Sequence, residues 1–191
     1  MQIREKAGSG VLIHSLTKVR SSELFWIFAF SFLTAISAQI NIPTQPVPFT
    51  LQTMVVLLAG ALLGSRNAVY SQIIYLVAGI LGLPVFAEYS FGIAKLFGPT
   101  GGYLLSFPFA AFLVGYLIEE KRNALVLFTA FFTGQLLILI AGAGYLSLFM
   151  GGDINKALFS GAIIFSVWDL IKTVAAFGIY KTVSKKYPNL P

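Results

Sequence analysis

A chain of 191 residues that is 57% hydrophobic and only 10% charged, with a mean hydropathy of +0.84, excludes a soluble globular domain, in which about a quarter of the residues are charged. With no cysteine and a single histidine, His14, it also excludes disulfides, thiol catalysis and a cysteine- or histidine-built metal cluster. The formal net charge of +6 does not point to nucleic acid, because the basic residues flank apolar segments, where they report membrane topology.

Six apolar spans follow in chain order: Glu23–Ile40, Phe49–Leu63, Ala68–Phe86, Tyr103–Ile118, Ala124–Phe149 and Ala157–Thr182. The first begins after a mostly polar N-terminal stretch and is followed by other spans, so it is expected to be a transmembrane helix rather than a cleaved signal. The second is short for a bilayer core of roughly 30 Å, and Pro46 and Pro48 stand at its start. It is expected to be buried, tilted or broken. Arg4, Lys6, Lys18, Arg20, Arg66, Lys121, Arg122, Lys181, Lys185 and Lys186 fall on one side of this arrangement. Only Lys95 and Lys156 fall on the other, with Lys172 inside a span. The positive-inside rule then makes both termini cytoplasmic. The outer loops become 41–48, 87–102 and 151–156. The fold expected is an all-α integral membrane protein of the cell membrane, one six-transmembrane-helix bundle over residues 1–191, with 1–22 and 183–191 as cytoplasmic extensions.

Small residues recur at a spacing that lets helices approach closely: Gly60 with Gly64, Ala111 with Gly115, and in the first span Ser31 with Ala35 and Thr34 with Ala38. Such pairs are common in ordinary bundles, so they favour packing within the chain over a partner surface. Two outer loops are unusual. Pro46-Val-Pro-Phe-Thr-Leu-Gln52 is stiffened by proline and offers the neutral hydrogen-bonding groups of Thr50 and Gln52. The stretch from Gly79 to Tyr103 carries glycines, prolines, aromatics, Glu88 and Lys95. Non-helical backbone at that depth is tolerated only inside protein or along a cavity.

The last span holds two charged residues, Asp169 and Lys172, in an otherwise apolar run from Phe159 to Tyr180. Spaced i, i+3, they share one helix face and can pair. A charge at this depth usually faces a bundle interior or polar cavity. Two readings stand side by side: a polar hook for a small ligand, and an ion pair locking two helices. The sequence offers no phosphate-cradling Gly-Lys-Ser/Thr after Gly98-Pro-Thr-Gly-Gly, no HExxH and no GxSxG, so neither nucleotide hydrolysis nor an enzyme is expected.

Four segments, Pro46-Val-Pro-Phe-Thr-Leu-Gln-Thr53, Gly82-Leu-Pro-Val-Phe-Ala87, Gly98-Pro-Thr-Gly-Gly-Tyr103 and Asp169-Leu-Ile-Lys172, resemble in order and spacing the BioY family, the biotin-binding S-components of energy-coupling factor transporters. One difference is Glu88-Tyr-Ser-Phe-Gly92, where the family is usually glycine-rich. The resemblance implies a six-helix subunit that captures biotin near the outer face. A transmembrane T-component and a pair of ATPases would energise it, with no cofactor beyond biotin as the transported substrate. It further implies that Asp169 accepts from the ureido ring and that Lys172 donates to its carbonyl or steadies Asp169. The ring would lie among Tyr75, Phe86 and Tyr103, and the tail carboxylate near Lys95 or Gln52. Tyr89, Gly92 and Gln135 complete the expected ligand-binding set. An S-component for a different vitamin, or a stand-alone ion-coupled carrier, would share most of these features.

Overall fold

The computed structural model describes residues 22–164 and 166–186. Arg4, Lys6, His14, Lys18 and Arg20, and the very end of the chain, lie outside the described residues. Helix α1 is Glu23–Gln39, α2 Gln52–Ile80, α3 Ile93–Leu96, α4 Gly101–Glu120, α5 Ala124–Leu146, α6 Ile154–Leu158 and α7 Ser166–Lys186. One departure from an all-α chain is a short antiparallel ribbon, β1 (Asn41–Ile42) with β2 (Phe49–Thr50), which pairs Asn41 with Thr50 and Ile42 with Phe49. It turns the proline-rich outer loop into a hairpin, held further by Thr44 Oγ1 donating to the Val47 carbonyl at 2.7 Å.

Helices Gln52–Ile80, Gly101–Glu120 and Ala124–Met150 are long and apolar enough to cross a membrane. Ile154–Ile163 and Ser166–Lys186, bent by 44°, make a fourth crossing if taken together. Helix α2 is not one rod. At about 1.5 Å per residue a straight helix would hold Gln52 and Tyr75 roughly 34 Å apart, yet Gln52 Nε2 donates to the Tyr75 hydroxyl at 2.6 Å. The chain therefore folds back between them. It does so at Gly64, whose φ of 77° and ψ of 172° are non-helical and belong to a region that is essentially glycine-only. The arms are 52–63 and 65–80, and the break falls between the second and third expected spans.

Helix α4 packs against this folded-back pair. A Cβ on Gly60 would meet the Ala111 carbonyl and Val114, and one on Gly115 would meet the backbone of Gly64 and Ser65. The glycine spacing seen in the sequence thus serves packing within the chain. At the fold-back, the Glu119 carboxylate of α4 accepts from Ser65 N (2.6 Å) and Ser65 Oγ (2.9 Å). These bonds satisfy donors that the start of the second arm would otherwise leave open.

The first-span small residues also turn inward. Ser31, Thr34 and Ala38 are buried, and Thr34 Oγ1 accepts from Gln72 Nε2 of α2 at 3.3 Å. This stripe of small residues is used against α2. The outward surface is apolar instead: Phe28, Phe32 and Ile36 on α1, and Phe128, Phe132, Leu136 and Ile140 on α5, are exposed. Large aromatic and aliphatic stripes at helical spacing, turned away from a packed interior, are what a lipid-facing wall requires.

The last expected span, Ala157–Thr182, is interrupted. Helix α6 is capped by Asp153, which accepts from Lys156 N at 3.0 Å; that backbone bond, above all, holds the Asp153 carboxyl below its ordinary value. A π-helical turn, Phe159–Ile163, then precedes α7. The Tyr103 hydroxyl donates to the Gly161 carbonyl in this turn at 2.7 Å. A side chain on Gly161 or on Gly142 would occupy the space of Tyr103, so both glycines exist to seat that ring.

Candidate functional site

A cavity of about 620 Å³ of empty space, its open mouth included, lies between the proline-rich hairpin, α3, α4, α5 and α7. Val47, Pro48, Phe49, Thr50, Gln52 and Thr53 form one wall. Phe86, Ala87, Lys95 and Thr100 come from the long loop, Tyr103, Leu104 and Phe107 from α4, Ile138 and Leu139 from α5, and Gly161, Asp169 and Lys172 from the broken last span.

Asp169 and Lys172 are both buried, with 4% and 5% of their surface exposed. They form an ion pair of 2.6 Å between Nζ and Oδ1. Lys172 also donates to the Thr50 carbonyl (3.0 Å) and Thr53 Oγ1 (2.8 Å) and lies 4.3 Å from the centre of the Phe49 ring. An ammonium has three donors, and all three are used. Lys172 ties α7 to the entry of α2, so the helix-locking reading describes the lysine. The carboxylate differs: Asp169 lines the cavity, and Lys172 on its own helix is the side-chain partner it has among the described residues. The pair therefore presents the cavity with one carboxylate acceptor, already oriented.

The other expected residues divide into two groups. Phe86, Lys95, Tyr103 and Gln52 line the cavity. Gln52 is committed internally, since Nε2 goes to Tyr75 and Oε1 accepts from Thr50 Oγ1 at 3.2 Å. Tyr75 sits behind the wall, fully buried, with its ring edge-on to Phe86 at 5.5 Å and stacked on Phe107 at 6.5 Å. It supports the lining rather than forming it. Gln135 is buried on α5 with both ends of its amide unpaired, outside the lining.

Tyr89 and Gly92 are also outside the lining. Tyr89 is 69% exposed, and its backbone N–H donates to Gln39 Oε1 at 3.0 Å. Gly92 N donates to the Gly79 carbonyl at 2.8 Å. Glu88 and Tyr89 take left-handed backbone, φ 59° and 54°, a conformation glycine adopts freely and other residues adopt at a cost. The turn is pinned from α1, because Gln39 Nε2 also donates to the Phe86 carbonyl at 3.0 Å. A glycine-rich stretch would make this turn without strain; here the Gln39 amide holds it.

Thr53, Phe49 and Phe107 are lining or pair-anchoring residues not singled out as site candidates from sequence. Thr53 and Phe49 lay within the proline-rich segment, and i, i+3 placement after Thr50 was the available signal. Nothing in the sequence distinguished Phe107 from the other aromatics of α4.

Fold and site together define a class: a multi-pass helical membrane protein with a mostly apolar solute cavity and a buried acid–base pair at its wall. The model of the BioY family matches residues 13–189, and the chain belongs to that family. It is similar to a probable biotin transporter BioY of Pyrococcus horikoshii, 39% identical over 158 residues that cover 83% of this chain and 93% of the relative. It is also similar to the biotin transporter BioY of Thermotoga maritima, 39% identical over 147 residues covering 77% and 86%. Among solved structures, the S-component for biotin from an ECF-type ABC transporter superposes with a TM-score of 0.79 at 27% identity, over 88% of this chain and 93% of that one.

Proposed function

We propose that this protein is a biotin-capture subunit of the cell membrane, which binds biotin at the outer face for uptake energised by a separate T-component and ATPase pair. The observation that carries the reading is the buried Asp169–Lys172 pair lining a mostly apolar cavity, in a chain whose relatives are biotin transporters. A ureido N–H donates to the Asp169 carboxylate, a charge-assisted bond stronger than a neutral one. The sulfur ring lies against Phe49, Tyr103, Phe107 and Ile138. The tail carboxylate takes Lys95 rather than Gln52, whose amide is already paired. Lys172 holds the acceptor in place and gives the ureido carbonyl a donor only by exchanging one of its three present partners. Calorimetric titration of the purified chain with biotin tests this; saturable binding at one site per chain is expected. No heat, and no thermal stabilisation at saturating biotin, overturns it.

The same reading takes the fold as six spans, α2 supplying two, with both termini cytoplasmic. Support comes from the reversal at Gly64 and from the flanking bases. Tags at residues 1 and 191 are expected to react with an impermeant reagent only after the membrane is opened; labelling in intact cells contradicts it. The hairpin at 46–52 and the loop 88–102 act as lid and rim. Saturating biotin is expected to slow amide exchange in both, because a ligand that binds the closed form lowers the open population. Equal exchange with and without biotin removes the lid.

A further inference from the structure

We infer that Thr100 is a ligand-binding residue whose hydroxyl, together with the Lys95 ammonium, clamps the carboxylate end of the solute and selects for the free acid. The inference rests on the biotin site proposed above. Thr100 lines the cavity, and its Oγ1 is buried with no hydrogen-bond partner among the described residues. A threonine at a helix start ordinarily accepts from a backbone N–H of the first turn. Thr100 precedes α4, yet it has helical φ and ψ (−88° and −7°) and its side chain caps nothing. The hydroxyl is thus withheld from its usual partner, on a residue that lines the cavity, and a buried unmade bond is costly.

The backbone around it is closely packed. A Cβ on Gly101 would collide with the Leu96 carbonyl, and one on Gly102 with Tyr145. Gly98 N donates to the Lys95 carbonyl (3.3 Å) and Gly101 N to the Gly98 carbonyl (2.9 Å). This tight turn carries Lys95 and Thr100 on the same cavity wall. Lys95 has no carboxylate partner among the described residues. One carboxylate, with two oxygens, satisfies an ammonium and a hydroxyl at once. Gly98-Pro-Thr-Gly-Gly, which has no place in nucleotide binding, acquires a role: its glycines lock the turn and its threonine does the binding.

The test compares biotin with an analogue whose tail carboxylate is replaced by a methyl group, on the purified full chain. Thr100→Val keeps the shape and removes the hydroxyl; Thr100→Ser keeps the hydroxyl. Thr100→Val is expected to weaken biotin about tenfold or more, the effect of losing a hydrogen bond to a charged group, and to leave the methyl-ended analogue unchanged. Thr100→Ser is expected to retain most of the biotin affinity. Equal weakening of both ligands, or of neither, overturns the assignment, the latter meaning that the hydroxyl is satisfied by water or protein. If Thr100→Val does not fold, Thr100→Ala carries the same comparison. Wild-type protein that binds no biotin defeats the underlying site; wild-type binding that Thr100→Val leaves intact defeats this assignment alone.

Discussion

Asp169→Asn is expected to weaken biotin binding by about 2 kcal/mol or more, roughly thirtyfold, because truncating one partner of a buried charged hydrogen bond typically costs about 2–5 kcal/mol. Asparagine keeps the volume and loses the charged acceptor that the carboxylate supplies. Thermal stability should fall less than affinity. Lys172 keeps the Thr50 carbonyl and Thr53 hydroxyl after the substitution, so α7 stays tied to the start of α2. Lys172→Ala should show the opposite order, since it removes all three ties at once. Affinities from calorimetry and melting temperatures from the same preparations separate the two. A well-folded Asp169→Asn protein with unchanged biotin affinity would falsify the assignment of Asp169 as the ligand acceptor.

The contrast between these two residues also shows what was legible in the sequence. An acid and a base alone in an apolar span can be read from the chain without a structure, because burial of charge has few explanations. Which of them is free to meet a ligand cannot be read. That depends on Thr50 and Thr53, more than a hundred residues away along the chain, arriving beside Lys172. The break at Gly64 was legible as two apolar runs separated by Arg66, whereas the interruption of the last span was not. Apart from Asp169 and Lys172, Phe159 to Tyr180 is uncharged throughout with no proline to mark a break, and the π-turn there presents the Gly161 carbonyl to the Tyr103 hydroxyl. Tyr89 and Gly92 were expected at the site from the motif they neighbour. The left-handed turn at Glu88 and Tyr89 instead carries Tyr89 to the exposed surface, a matter of backbone angles that composition does not encode.

Gly64→Ala is expected to be among the most damaging of the glycine substitutions, lowering stability by about 1–3 kcal/mol through backbone strain alone. At φ 77° and ψ 172° a Cβ is disfavoured whatever space surrounds it, and the residue cannot relax into a helix without undoing the reversal. Were 52–80 to become one continuous helix, Gln52 would leave Tyr75, and Glu119 would lose the backbone donor at Ser65 that it now accepts from. The loss would reach the cavity, because Gln52, Thr53 and the Thr50 carbonyl that anchors Lys172 all stand at the head of the first arm. Gly144→Ala supplies the control: it lies in α5, and a Cβ there meets nothing within 4 Å. In helical backbone that change is expected to be neutral or stabilising by up to about 1 kcal/mol. Melting of the two variants in the same detergent, followed by biotin titration of whatever remains folded, reads both effects. If Gly64→Ala melts with Gly144→Ala and binds biotin as tightly, the chain does not reverse on a glycine-only conformation at Gly64.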